Sequence, residues 1–369
     1  MERIWADVSL SAIVDNYRAV RERLTPGCRV MASVKADAYG HGAVPVARAL
    51  AVDGVDWLAV SHISEAAELR EAGITLPILL LAYTPPAEAA RLAALGAVQS
   101  VSDGDYAAAL NAAAAAAGVT VEVHIKLDTG MGRIGFVCYG DAPIDEIAAA
   151  CALPHLKPTG VFTHFALADV ATPEADAFTR TQFARFTEAL NRLEARGVTF
   201  ALRHCCNSAA ALRFPEMHLD MVRPGIVLYG CPPDEGLPLP VTLTPAMALR
   251  SVIAQIKTVP AGTPISYGGT AVTERESRLA TVPIGYADGL PRACSGRIAM
   301  AVRGERAPLL GRVCMDQCVL DVTDIPEAAV GDTVTVFGEA PTAGELAARV
   351  DTISYEIVCR VGKRVPRIY

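Results

Sequence analysis

Eight short apolar runs, each followed by a segment of helical periodicity, constrain the fold of this chain more than any other feature. Strand-like runs fall at 29–34, 57–61, 77–82, 97–101, 121–127, 158–164, 200–205 and 225–229. Helical spacing fills 42–52, 63–72, 86–95, 104–117, 143–151, 173–196 and 208–213 between them. An amphipathic helix over 9–24 leads the series: Ser9 suits its N-cap, and Leu10, Ile13, Val14, Tyr17, Val20 and Leu24 share one face. Pro26-Gly27 stops it. The unbroken alanines Ala112 to Ala117 are strong helix formers rather than a low-complexity linker. Strict alternation of strand and helix implies a parallel sheet with crossover helices. An open doubly wound sheet is one solution. The count of eight and the even repeat favour the other, an α/β fold with a closed (β/α)8 TIM-type barrel, in which functional residues sit where strands end.

The pattern changes after Pro232-Pro233 and the proline-rich stretch 236–240. Short alternating segments follow at 246–257, 278–283, 297–303, 312–321 and 333–337, punctuated by Gly262, Gly268-Gly269, Asp288-Gly289, Gly304 and Gly331-Asp332. One short helix is expected near 342–350, where Thr342 and Glu345 have capping-box spacing. The expected division is therefore a barrel over 1–235 and a mostly-β domain over 236–369. Trp5-Ala6-Asp7-Val8 reads as a strand that joins the second domain, because it precedes the first barrel helix.

With 52% hydrophobic and 20% charged residues, the chain can bury a large core. A net charge of −7 without a basic cluster argues against nucleic acid or an anionic membrane as a partner. No apolar run is long enough to span a bilayer, and Met1-Glu2-Arg3-Ile4-Trp5 lacks a signal pattern. Ten dispersed cysteines with no CxxC pair fit a reduced, cytoplasmic chain. Cys314 and Cys318 have no second pair nearby, so no metal site is expected.

Lysine is scarce, at only five residues, so a lysine among apolar neighbours asks for a reason. Lys35 ends the apolar run Val30-Met31-Ala32-Ser33-Val34, where turns prefer Gly, Asn, Asp or Ser. It is either an exposed loop residue or a desolvated amine able to form a Schiff base with a carbonyl cofactor. Tyr39 follows within reach of a phosphate, or packs. In His124-Ile125-Lys126-Leu127-Asp128-Thr129-Gly130-Met131-Gly132-Arg133-Ile134-Gly135 the glycines make a formal GxGxxG, but on the fifth strand and without a clean helix start. They are better read as a tight turn that holds Arg133 at the strand mouth, where a guanidinium suits a carboxylate. Lys126 alternates with His124 and Asp128 and so shares their face. Buried there it needs an anion, and Asp128 could serve. His164 ends strand six, as a satisfied core histidine or a functional one. Ser208 opens a helix, and Arg223-Pro224-Gly225-Ile226 lies at strand eight; both suit a phosphate, which barrels often bind at these two strands. In the β domain Tyr267, Tyr286 and the Cys314-Met315-Asp316-Gln317 segment each lie at a turn.

Taken together and in order, from Ser33-Val34-Lys35-Ala36-Asp37-Ala38-Tyr39-Gly40-His41-Gly42 to Arg364-Val365-Pro366-Arg367-Ile368-Tyr369, these segments resemble the alanine racemases, fold-type III enzymes dependent on pyridoxal 5'-phosphate (PLP). The resemblance implies a barrel plus a β domain in a head-to-tail homodimer with shared active sites. It implies interconversion of L-alanine and D-alanine by two bases, supplying D-alanine for peptidoglycan. Lys35 would carry PLP and act on the D-isomer, and Tyr267 of a second copy would act on the L-isomer. Tyr39, Ser208, Gly225, Ile226 and Tyr355 would hold the phosphate. Arg223 would face the ring nitrogen with His164 behind it. Arg133 and the backbone of Met315 would bind the substrate carboxylate. Lys126 matches a lysine often carbamylated in the family, and Tyr286 and Asp316 match residues around substrate access. A tyrosine at 355 leans towards alanine over serine. The competing readings are a serine or broader-specificity amino-acid racemase and a fold-type III decarboxylase. A PLP-binding barrel protein without catalysis would lack residues 240–369.

Overall fold

The computed structural model describes residues 2–369. Eight parallel strands form the first sheet: Arg29–Ser33, Trp57–Val60, Ile78–Leu80, Ala97–Val101, Val121–Asp128, Leu156–Phe162, Leu202–His204 and Met221–Val222. Each pairs with its predecessor up to the seventh, and the eighth pairs back onto the first, so the ring is nearly closed. The seam between strands seven and eight is bridged by the Asp220 N–H on the Arg203 carbonyl (3.1 Å) and the Arg223 N–H on the Cys206 carbonyl (2.9 Å). Helices Leu10–Arg21, Ala43–Val52, Ile63–Glu71, Ala89–Ala94, Gly104–Ala116, Ile144–Cys151, Pro173–Glu194 and Ser208–Arg213 accompany the strands. The Ser9 side chain caps the first by accepting from the Ala12 N–H at 3.1 Å.

One boundary differs. The eighth strand is Met221–Val222, and the apolar run expected there, Ile226–Tyr229, forms a 3₁₀ turn. Pro224 has no N–H to donate, although its carbonyl still accepts from the Ser33 N–H at 3.0 Å, and Gly225 sits at φ −128°, ψ −92°, so the ladder ends there. The run is buried all the same, which is why its composition resembles a strand.

Inside the barrel, Met31, Ala59, Leu79, Val98, Phe162, Leu202 and Met221 form a compact apolar cluster. Seven strands contribute one member each and the fifth contributes none. Its buried inward positions carry His124, Lys126 and Asp128 instead. The barrel interior is thus hydrocarbon in this layer, with polar groups inserted by the fifth strand and, next to them, by His204 of the seventh.

The second sheet has nine strands in the order Gln255–Val259, Ser277–Val282, Cys318–Asp321, Glu305–Leu310, Ala299–Val302, Thr333–Phe337, Met247–Val252, Ile4–Val8 and Arg367–Ile368. The N-terminal strand therefore lies within it, antiparallel to Met247–Val252 and parallel to the C-terminal strand. The strand expected over 312–321 is confined to Cys318–Asp321. Gly311 adopts φ +67° and turns the chain out of the sheet, leaving 312–317 as a loop. A strand the spacing did not show, Glu305–Leu310, contains Pro308 and pairs with Ala299–Val302. The Thr342 hydroxyl accepts from the Glu345 N–H at 3.0 Å and starts the helix Ala343–Arg349.

Candidate active site

Lys35 follows the first barrel strand and opens a turn of unusual hand. Ala36, Asp37, Ala38 and Tyr39 all lie near φ +52° to +54°, and Gly40 at +83°. Non-glycine residues resist this left-handed region by about 1–2 kcal/mol each, because Cβ crowds the following carbonyl. The turn closes through the Ala38 N–H on the Val34 carbonyl and the Gly40 N–H on the Ala36 carbonyl, both 2.9 Å. The Glu65 carboxylate accepts from the N–H groups of Ala36, Ser61 and His62 (2.6, 2.8 and 3.0 Å), and Asp37 from that of Ala43 (2.7 Å). Burial, reinforced by the charge of Arg133, holds the Lys35 amine below the ordinary lysine value.

Around His164 the barrel gathers four cations. Burial, then Arg223, Lys126, Arg133 and Lys35, hold the imidazole well below its usual range, so it is neutral. Among the described residues none of these four cations makes an ion pair. Arg223, 6% exposed, donates from Nη1 to His204 Nδ1 (2.9 Å) and from Nη2 to the Thr163 carbonyl (2.8 Å), the Cys205 carbonyl (3.2 Å) and His164 Nδ1 (3.2 Å). An arginine only donates, so both imidazoles accept at Nδ1 and carry their proton on Nε2. His204 passes that proton's hydrogen bond on to His124 Nδ1 at 2.9 Å. Burial lowers Arg223 to about 10, which still leaves it charged at neutral pH.

Lys126 is 4% exposed, and its amine reaches the Leu127 carbonyl at 3.1 Å and lies over the Phe162 ring at 5.0 Å. The expected pairing with Asp128 is not made. Asp128 instead accepts from the N–H groups of Gly130, Gly132 and Arg133 (2.9, 3.1 and 3.1 Å) and so caps the turn that carries Arg133. Its lone pairs are committed to that turn. Burial foremost, then Arg223, drives the Lys126 amine well below the ordinary value. Gly135 packs against the backbone of Leu127 and Asp128, where a Cβ would stand 2.7 Å from the Asp128 nitrogen. The three glycines therefore serve turn geometry.

A cradle of hydroxyls lies beside these groups. The Tyr39 hydroxyl is 3.5 Å from Ser33 Oγ, and the Gly225 N–H donates to Ser208 Oγ at 2.8 Å. A Cβ on Gly225 would stand 2.6 Å from the Tyr39 hydroxyl, so glycine keeps this space open. Ile226 follows at the start of the 3₁₀ turn, and the Tyr355 ring lies tilted beside Tyr39 with ring centroids 6.1 Å apart. A phosphate fits this donor set of hydroxyls and backbone N–H groups. A pyridine nitrogen fits the buried guanidinium, and a carbonyl fits the amine of Lys35.

The remaining expected residues lie elsewhere in the chain. Tyr267 (71% exposed), Met315 (53%) and Tyr286 (44%) stand on the β domain. They form one edge: the Tyr286 N–H bonds the Cys314 carbonyl (3.0 Å), the Ala287 N–H bonds the Met315 carbonyl (3.1 Å), and Ser266 Oγ donates to the Arg312 carbonyl (2.7 Å). Asp316 is tethered by Arg364 at 2.6 Å. Among the described residues no hydrogen bond joins this edge to Lys35, Lys126, Arg133, His164 or Arg223. Sequence reasoning passed over His204, Glu65, Arg367 and Tyr369. Only for His204 was there a local signal, a histidine ending an inward-facing strand four residues before Ser208.

Residues 8–233 match the family "Alanine racemase, N-terminal domain" and residues 246–369 match "Alanine racemase, C-terminal domain". The alanine racemase of Desulfovibrio desulfuricans is 48% identical over 372 residues, covering 99% of this chain and 98% of its own. That of Desulforamulus reducens is 48% identical over 370 residues, covering 100% and 99%. The solved alanine racemase of a D-cycloserine-producing Streptomyces lavendulae has a TM-score of 0.92 at 42% identity, covering 100% of this chain and 97% of that one. Among the described residues no helix is long and apolar enough to cross a membrane. With both family domains matched in order, relatives alike over their full length and a shared fold, this chain belongs to the alanine racemase family, whose enzymes depend on PLP.

Proposed function

We propose that the protein is an isomerase that interconverts L-alanine and D-alanine with PLP, using Lys35 and Tyr267 as its two bases. The observation that carries this reading is the set of four cations without ion pairs around one neutral imidazole. Such a pocket seeks anions, and a cofactor phosphate, a substrate carboxylate and a carbamate would supply them.

PLP, when bound, withdraws electrons from Cα of the amino acid and so acidifies its proton. Tyr39, Ser208, Tyr355 and the backbone at Gly225 and Ile226 would hold its phosphate, Lys35 its carbonyl carbon and Arg223 its ring nitrogen. Because Arg223 keeps its proton, it donates a hydrogen bond to that nitrogen without protonating it. Electron withdrawal is then moderate, which favours return of a proton to Cα over further chemistry. His204 and His164 accept from the guanidinium and fix its plane.

Lys35, with its amine held below the ordinary lysine value, is suited to take or return a proton on one face of Cα. The opposite face needs a second group. Among the described residues the Tyr267 hydroxyl makes no hydrogen bond, and it stands exposed, which supports a head-to-tail homodimer in which Tyr267 and the Met315 backbone of one copy would complete the Lys35 site of the other. Arg133, exposed on the turn that Asp128 caps, would take the substrate carboxylate. The Lys126 amine, held well below the ordinary lysine value by burial, can in its unprotonated form add to carbon dioxide, forming an N–C bond and releasing one proton. The resulting carbamate would give Arg133 and Lys126 the anion that Asp128 does not. Tyr286 and Asp316 would border the path of the substrate, and Tyr355 would narrow it in favour of alanine. Ten free cysteines support a reducing, cytoplasmic setting.

Incubation with L-alanine and, separately, L-serine, followed by chiral chromatography, tests the reading. Alanine should racemise faster than serine. Absence of alanine interconversion by the PLP-loaded protein would overturn it.

A further inference from the structure

The left-handed turn after Lys35 is unfavourable residue by residue, so it persists only if its surroundings over-determine it. Its far end is held by the other domain. Arg367 Nε donates to the Gly40 carbonyl at 2.9 Å, and the Tyr369 hydroxyl donates to the His41 carbonyl at 3.1 Å. These carbonyls belong to consecutive residues, and both donors lie more than 320 positions away along the chain.

The donors are themselves fixed. The Arg367 guanidinium also donates to the carbonyls of Gly362 (2.7 Å), Val365 (2.7 Å) and Val361 (2.8 Å). Arg367–Ile368 is a strand, parallel to Ile4–Val8 and edged onto the nine-stranded sheet. The turn, in turn, is shaped to receive them. A Cβ on Gly40 would stand 2.5 Å from the Val358 carbonyl oxygen, and a Cβ on Gly42 would collide with the Tyr369 hydroxyl. Both glycines thus admit the β domain against the turn as well as permitting their positive φ. Neither Arg367 nor Tyr369 has a part in the chemistry above.

We propose that Arg367 and Tyr369 are positioning residues that clamp the left-handed turn from the β domain and thereby aim the Lys35 amine into the barrel mouth. The proposal rests on Lys35 being the cofactor lysine, but the clamp itself can be read without cofactor chemistry.

Hydrogen–deuterium exchange on the full chain tests it with Arg367→Met and the milder Tyr369→Phe. Amides in 38–43 should exchange about tenfold faster in Arg367→Met and a few-fold faster in Tyr369→Phe. Exchange in Thr333–Phe337 and Trp57–Val60 should not change. Arg367→Met should also release PLP about tenfold faster and lower kcat with little change in KM, because Arg133 is untouched, and Arg367→Lys should recover part of both. Unchanged exchange at 38–43 in both variants would overturn the clamp. So would an equal rise in Thr333–Phe337, which would reveal general loosening. Failure of the Lys35 assignment would show separately, as a retained visible PLP band in Lys35→Ala.

Discussion

In the proposed reaction the barrel mouth and the exposed edge of the β domain would carry the two halves of one chemistry, and they are in opposite physical states. At the mouth, Lys126 and Arg223 are buried, Lys35 is partly so, and their charges crowd one neutral histidine. At the edge, Tyr267, Tyr286 and Met315 are open to solvent, on loops joined by hydrogen bonds of the neighbouring backbone and of Ser266. Burial lowers the amines at the mouth, so that half is chemically prepared within one chain, whereas the edge presents its side chains to solvent. A base of the second kind becomes useful once another surface covers it. The contrast therefore supports the proposed division of the site between copies, in which one would contribute prepared amines and the other a phenol.

The largest effect should come from the prepared half. Lys35→Ala should lower racemisation in both directions by about ten-thousand-fold and abolish the visible band of bound PLP. Chiral chromatography and absorbance spectra measure both. Loss of racemisation with the visible band of bound PLP retained would show that Lys35 is only a base.

Tyr267→Ala should cost about a hundredfold to a thousandfold, with exchange of the L-isomer's α-proton most affected. Mixing it with Lys35→Ala and allowing subunits to exchange should restore about a quarter of normal activity, since half the dimers would then carry one intact site of two. No recovery would place both bases in the same chain and remove the contrast between the two regions.

A smaller effect is expected at Lys126. Its replacement by alanine should raise KM for alanine by about tenfold with kcat less affected, because the carboxylate partner Arg133 loses its counter-anion. Intact-mass measurement of the unmodified protein at high bicarbonate should show one added carbon dioxide, absent from the variant.

The smallest and broadest effect separates the domains by pH. All seven histidines precede residue 236. Burial pushes His41 down to about 4 and His124 down to about 3, and holds His164 and His204 well below the usual value. Each is neutral when folded but binds a proton near 6.5 when unfolded. Unfolded chain therefore takes up more protons below 6.5, and stability should be full above that pH and fall as pH drops towards 4. Thermal melts between pH 7 and pH 4 should show barrel tryptophan Trp57 reporting the loss before the β-domain signal. Coincident transitions would mean that the domains unfold as one unit.

Much of this was legible in the sequence, for reasons that vary by residue. The alternation of apolar runs with helical spacing is a local pattern, and it placed seven of the eight barrel strands within a few residues. Strand eight was misplaced because Ile226–Tyr229 is buried, and burial alone imitates a strand's composition. Glu305–Leu310 was hidden by Pro308, which weakens a strand signal without forbidding a strand. Lys35 and Lys126 stood out because charge among hydrocarbon is costly wherever it occurs. Asp128 was assigned the wrong partner, since spacing shows which residues share a face but not which N–H groups reach their oxygens first.

What this sequence determined by itself is the strand–helix repeat, the break to a β domain and the chemical types waiting at the strand ends, because each follows from residues near one another. Tertiary structure alone decided the hand of the turn at Ala36 to Tyr39, the tautomers set by Arg223 on His164 and His204, and the isolation of Tyr267 from the barrel mouth. A left-handed conformation is disfavoured by the Cβ of each residue that adopts it, so no local pattern encodes it. Hydrogen bonds from Arg367 and Tyr369, at the far end of the chain, reach it only once both domains have formed.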